Sequence, residues 1–239
     1  GRIKGYLIGV DIGTQSTRAA LFDLGLNLIA TASEPSRLIS PEPGTVWQEP
    51  EEIYGACVRT VRALMEQSGA CPGDVLAVGV DGQMAGVMGV DAHGEASTVY
   101  DSWLDTRCAK YMDIMNEKKG ERIITLSGGP VTYIHGPKIL WLKHEWPEVY
   151  KKTCKFVMPN AYVAGKMAGL DGERAYFDHT HLHFSTFGDN LNKTWSEEVL
   201  EAFDIDKGKM ARIVSPFNIV GHVTPEFARL SGLISGIPV

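Results

Sequence analysis

The sequence predicts an α/β domain built on a mixed sheet, and three observations carry that prediction. Two short apolar runs, Tyr6-Leu7-Ile8-Gly9-Val10 and Ala19-Ala20-Leu21-Phe22, flank the polar stretch Gly13-Thr14-Gln15-Ser16-Thr17. A third, Leu28-Ile29-Ala30-Thr31-Ala32, follows a turn at Gly25 and Asn27. Such spacing is expected of an antiparallel meander. Residues 75–80 then form an unbroken apolar run, the mark of a strand covered on both faces. Segments of helical period separate the later strands, and strands first, then strands mixed with helices, favour a mixed sheet over a doubly wound parallel one.

Each element follows in chain order. Beyond the meander, Pro41, Pro43 and Pro50 bracket Gly44-Thr45-Val46-Trp47-Gln48 in a loop. Glu49-Pro50-Glu51-Glu52 supplies acidic first-turn residues and a proline near a helix start, and Ile53, Cys57, Val61, Leu64 and Met65 fall at helical spacing until Gly69. The run 75–80 leads into Asp81-Gly82-Gln83-Met84 at its C-terminal end, where α/β sheets place ligand-binding residues. Residues 86–91 read as a strand, 108–117 as a helix, 138–144 as a helix ended by Pro147, and 197–203 as a further helix. With no internal repeat, low-complexity stretch or convincing linker, residues 1–239 read as one domain.

Composition narrows the function classes. Of 239 residues, 44% are hydrophobic and 22% charged, enough to bury a sizeable core and unlike a disordered chain. No stretch approaches the ~20 apolar residues of a spanning helix, and Asp11 interrupts the N-terminal apolar run, so no membrane role and a cytoplasmic location are expected. Twenty-three basic against 29 acidic residues leave a net charge of −6, which argues against a nucleic-acid partner. Cys57, Cys71, Cys108 and Cys154 are scattered without a C-x-x-C, the pattern of reduced thiols.

Two strings carry chemistry. In Asp11-Ile12-Gly13-Thr14-Gln15-Ser16-Thr17, glycine lets the backbone approach a ligand, consecutive turn N–H groups and hydroxyls can wrap phosphate oxygens, and Asp11 can hold a hydrated Mg²⁺. The string matches neither common glycine-rich phosphate loop, and taken alone it reads rather as an ordinary polar hairpin turn. In His179-Thr180-His181-Leu182-His183, a strand conformation would put three imidazoles on one face, where they could bind zinc.

Trp47-Gln48-Glu49-Pro50, Asp81-Gly82-Gln83-Met84, Trp103-Leu104-Asp105-Thr106-Arg107, the segment 136–143, Asp178 with Trp195 after it, and the closing Gly232-Leu233-Ile234-Ser235-Gly236-Ile237-Pro238-Val239 occur in one order. Together they resemble the N-terminal domain of the FGGY carbohydrate kinases along essentially the whole chain. The resemblance implies an actin-like ATPase (ribonuclease H-like) fold with a mixed β-sheet flanked by helices, the N-terminal half of a two-domain sugar kinase that uses ATP and Mg²⁺. It implies that Asp11, Gly13, Thr14 and Ser16 face the ATP phosphates, with Asp11 on the metal, and that Asp178 is the general base. Gln83, Met84, Trp103, Asp105, Tyr133 and His179 are the implied contacts to a small-molecule sugar or polyol. The phosphate loop and sugar pocket are expected to be separate surfaces.

The same resemblance implies that a C-terminal kinase domain, absent from this chain, completes the nucleotide site, so the chain alone should be inactive; a homodimer is left open as an assembly. Where glycerol kinases read Arg-Glu after the equivalent glutamine, this chain has Met84-Ala85, and where xylulokinases read Gly-Gln-Met-His-Gly it has Gly82-Gln83-Met84-Ala85-Gly86. A ketopentose or related carbohydrate is therefore expected ahead of glycerol. Two other classes stand beside this reading: a catalytically idle sugar sensor of the same fold, and a zinc hydrolase built on His179, His181 and His183.

Overall fold

In the computed structural model, which describes residues 4–239, β1 (Tyr6–Ile12), β2 (Ser16–Asp23) and β3 (Leu28–Pro35) form the expected antiparallel meander. The two-residue β4 (Trp47–Gln48) precedes α1 (Pro50–Ser68), which starts with its proline in the first turn and ends at Gly69 with φ 64°. β5 (Val75–Gly82) then returns parallel to β1, giving a mixed sheet in the order β3-β2-β1-β5.

Strand alternation decides which side of this sheet is core. Ile8, Val10 and Ile12 of β1 and Ala19 and Leu21 of β2 are buried, as are Ile53, Cys57, Val61 and Leu64 of α1. The intervening residues Gly9, Asp11, Arg18, Ala20 and Phe22 line an open cleft instead. The expectation that 75–80 is covered on both faces is corrected: β5 takes the edge of the sheet, Leu76 is 48% exposed, and Gly79 to Asp81 line the same cleft.

A second sheet, β4-β7-β6-β8, is built from β6 (Gly86–Val90), β7 (Tyr100–Ser102) and β8 (Lys155–Val157), all antiparallel. Around it lie α2 (Ala109–Ser127), α3 (His135–Glu145), α4 (Pro147–Lys152) and α5 (Pro159–Ala168). The chain continues through β9 (Tyr176–Asp178), the β10 (Gly188–Asp189) and β11 (Thr194–Trp195) hairpin, α6 (Glu197–Ala202), β12 (Arg212–Val214) parallel to β9, and α7 (Pro225–Ser231). One core joins the first sheet to α1, α5 and α7; a second gathers Met115, Ile123, Ile139, Phe156, Phe187 and Leu200. Trp195 packs against both.

Several elements depart from expectation. α2 runs ten residues further than 108–117, because Gly120 is accommodated inside the helix and the left-handed stop comes at Gly128, φ 84°. Pro147 begins α4 as well as following α3, since a first-turn proline needs no N–H partner. Residues 179–184 form a 3₁₀ turn and not a strand, so the three imidazoles do not share a face; His181 is buried while His179 and His183 are half-buried. Among the described residues no helix is long and apolar enough to cross a membrane, and all four cysteines are free.

Candidate active site

The cleft on the open face of the first sheet encloses about 550 Å³ and is lined by Asp11, Arg18, Asp81, Asp178, Thr180 and Pro216 among others. Register sets its centre: Asp11 stands opposite Arg18 of β2 on one side and Asp81 of β5 on the other. Partial burial raises the Asp11 pKa above the ordinary carboxylate value, the Asp81 charge raises it further, and Arg18 opposes both. Two adjacent carboxylates in a cleft with room for phosphate suit Mg²⁺, which binds through one or two carboxylates and keeps water and phosphate oxygens for the rest. No cluster of three His, Cys, Asp or Glu side chains poised to hold a metal exists among the described residues, which removes the support for a zinc site on His179, His181 and His183.

Asp178 reaches the cleft from the end of β9, and its Oδ1 accepts from the Thr180 N–H at 2.9 Å and the Thr180 hydroxyl at 2.8 Å, capping the following turn. Trp195, the landmark paired with it in the sequence, lies elsewhere: its indole donates to the Ala211 carbonyl at 2.8 Å and packs edge-on to Phe177.

At the strand end the loop 13–16 closes tightly, with the Gly13 N–H donating to the Ser16 carbonyl at 2.9 Å. A Cβ at position 13 would stand 3.1 Å from that oxygen, so the turn favours glycine. Beyond it, the 13–16 loop and the residues implied to contact sugar, expected to be separate surfaces, are joined at Thr14. The Thr14 hydroxyl donates to Gln83 Oε1 at 3.0 Å and accepts from the Trp103 indole at 3.1 Å. Gln48, which sequence reasoning did not single out as a contact, donates to the Thr14 carbonyl at 3.0 Å and accepts from Gln83 Nε2 at 2.9 Å. The 83–85 connection that carries Met84 is anchored by the Tyr100 hydroxyl on the Ala85 carbonyl, and Gly86 follows at φ 91°, where a Cβ would lie 2.4 Å from the Asp101 carbonyl. Met84 and Trp103 remain 44% and 45% exposed, available to a ligand.

Asp105, expected to touch sugar hydroxyls, is fully buried. Its carboxylate accepts from the Val46 N–H at 2.8 Å, the Arg107 N–H at 2.9 Å and the Arg107 guanidinium at 3.0 Å, so it holds the turn that presents Trp103. Below it, Lys138 of α3 is buried against Asp101 Oδ1 at 3.2 Å and donates to the Asp105 carbonyl at 2.8 Å. Tyr133 and His179, the other expected sugar contacts, are half-buried and make no hydrogen bond to this network.

A family model described as the FGGY family of carbohydrate kinases, N-terminal domain, matches residues 6–239. The chain belongs to that family. Xylulose kinase of Escherichia coli K12 is 26% identical over 232 residues, covering 97% of this chain and 46% of that protein. Glycerol kinase of Paenarthrobacter aurescens is 29% identical over 228 residues, covering 91% and 45% respectively. The crystal structure of xylulose kinase from Rhodospirillum rubrum superposes with a TM-score of 0.88 at 25% identity, covering 98% of this chain and 48% of that one. The expected α/β actin-like ATPase fold, N-terminal half, is thereby shown. The chain spans about half the length of the curated relatives it matches.

Within this FGGY domain, sequence reasoning missed Asp81 as the partner of Asp11 and Gln48 as the link between Thr14 and Gln83. The Asp81 signal was present, because an acidic residue ending a strand parallel to β1 must face the same side as Asp11 once the register is known. Gln48 was marked only as part of the landmark Trp47-Gln48-Glu49-Pro50, with no role attached to it.

Proposed function

We propose that this domain carries the sugar or polyol site and the first phosphate loop of an ATP-dependent carbohydrate kinase. The observation that supports the reading is the junction at Thr14: one residue of a tight turn beside the Asp11 and Asp81 carboxylates is hydrogen-bonded to Gln83 and Trp103. In this reading Asp11 and Asp81 hold Mg²⁺, which when bound neutralises charge on the transferring phosphoryl group. Gly13 allows the tight turn, and Thr14 and Ser16 orient the phosphates through their backbone N–H groups and the Ser16 hydroxyl. Trp103 and Met84 offer apolar faces to carbon-bound hydrogens, and the Gln83 amide offers directional bonds to hydroxyls. Asp178, the third carboxylate of the cleft, accepts the proton of the attacking hydroxyl.

Met84-Ala85 favours a ketopentose or related four- to seven-carbon carbohydrate over glycerol, because a small triol leaves pocket groups unpaired, each costing ~1–3 kcal/mol. Phosphorylation of glycerol, erythritol, D-xylulose, L-ribulose and gluconate by the naturally encoded protein tests the reading. A kcat/KM for glycerol that equals or exceeds every other value would refute the specificity. Asp178→Asn keeps the Oδ1 acceptor that caps the turn while losing basicity, so kcat should drop ~10²–10⁴-fold with sugar binding retained. Near-normal kcat would leave Asp178 as a cap only.

A further inference from the structure

Gln48 sits on β4, 1% exposed, and touches neither side of the cleft directly. Its amide nevertheless closes a hydrogen-bonded ring: Gln48 Nε2 to the Thr14 carbonyl, Thr14 hydroxyl to Gln83 Oε1, and Gln83 Nε2 back to Gln48 Oε1. Each amide has one donating and one accepting end. Turning either over would set donor against donor or oxygen against oxygen, so the ring has a single polarity. The Thr14 hydroxyl is committed twice, to Gln83 and from Trp103. A ligand hydroxyl that competes for the Gln83 amide or the Trp103 indole therefore acts on Thr14, and Gln48 carries the same disturbance to the Thr14 carbonyl, inside the loop whose Gly13 N–H is fixed on Ser16.

We propose that Gln48 is a positioning residue that couples occupancy of the carbohydrate pocket to the conformation of the 13–16 phosphate loop, so that carbohydrate and MgATP strengthen each other's binding. The inference rests on the kinase reading above. It predicts reciprocity, since a coupling between two ligands must act equally in both directions.

The test measures, by calorimetry on the naturally encoded protein, the affinity for whichever of D-xylulose, glycerol, erythritol, L-ribulose and gluconate is phosphorylated fastest, with and without saturating Mg²⁺ and a non-hydrolysable ATP analogue. The natural protein should show a coupling factor in the ~5–150-fold range. Gln48→Met, similar in volume and unable to bridge, should bring the factor to within about twofold of 1 while each ligand alone binds within about threefold of its normal affinity. Gln48→Glu supplies an arm that a packing role would not move. As a carboxylate it opposes the Thr14 carbonyl, but burial raises its pKa, and once protonated it can again donate to Thr14 and accept from Gln83. Its coupling factor should rise toward the natural value as pH is lowered from 8 to 6. Retention of the natural factor in Gln48→Met, a pH-independent factor in Gln48→Glu, or a factor within twofold of 1 in the natural protein overturns the proposal alone. Failure to phosphorylate any member of the panel overturns the kinase reading and this inference with it.

Discussion

Asp11 and Asp81 show how one register decides both charge and chemistry. Side by side on parallel strands, they repel, and Arg18 across the hairpin offsets only part of that cost. A carboxyl with a raised pKa in the folded state binds a proton that the unfolded chain would release, so its contribution to stability is lost as pH rises through that window from 3.8 upward. Asp81→Asn should therefore raise the melting temperature slightly at pH 7 without Mg²⁺. If Asp11 and Asp81 hold Mg²⁺ as proposed, added Mg²⁺ should stabilise the natural chain and the same substitution should abolish that gain. Thermal unfolding with and without saturating Mg²⁺ reads both effects. An unchanged Mg²⁺ response would remove Asp81 from the metal.

At the level of elements, α3 is fastened to β7 and to the Trp103 turn by one buried cation. Burial raises the Asp101 carboxyl to about 6, and the Lys138 ammonium beside it holds it from going higher. Lys138→Met would leave that carboxylate buried and unpaired, at a cost of ~3–5 kcal/mol, whereas Lys138→Met combined with Asp101→Asn should recover most of it. Urea unfolding of the two variants decides the point: equal losses would show that packing, not charge, dominates. Such a bond joins residues 37 positions apart, which is why it was not legible in the sequence, whereas the meander and α1 were. Alternation, an N-terminal proline and a stop glycine are local signals, and β1 to β3 and α1 fall where those signals put them. α5 is buried on nearly every side, so no polar stripe marked it as a helix, and the spacing of the histidine triplet left its conformation open, because period two alone cannot distinguish a strand from a 3₁₀ turn. The candidate site divided the same way: Thr14, Gln83 and Trp103 were legible as polar or aromatic residues at element ends, but their direct bonds at Thr14 and the bridge Gln48 adds between Thr14 and Gln83 depend on two sheets meeting.

The two cores of the molecule meet around Phe177 and Trp195, and the histidines placed there make its stability depend on pH as a whole. His135 is buried between Met158 Sδ, 2.8 Å from its Nε2, and the Phe177 ring, and its Nδ1 has no partner. Burial, reinforced by the charges of His181, Lys138 and His183, pushes its pKa down to about 3. Burial also lowers the pKa of His181, which likewise makes a T-shaped contact with Phe177, although Asp178 and Asp81 pull it upward. A lowered histidine pKa means that the unfolded chain binds a proton the folded chain refuses, so the stability is present above about 6.5, the ordinary imidazole value, and is lost as pH falls below it. Asp101 acts in the opposite sense over part of the same range, because its raised pKa lets the folded state take up a proton first. The separate contribution of His135 is isolated by comparing the natural chain with His135→Leu, which leaves every other group in place. One proton of difference between unfolded and folded states corresponds to ~1.4 kcal/mol per pH unit. Stability measured by urea unfolding between pH 4.5 and 6 should thus fall with acidification more steeply in the natural chain, by about that amount per unit, and the two pH profiles should become parallel above pH 7. Parallel profiles across the whole range would show that His135 is charged in the folded state, and that the junction between the cores admits water.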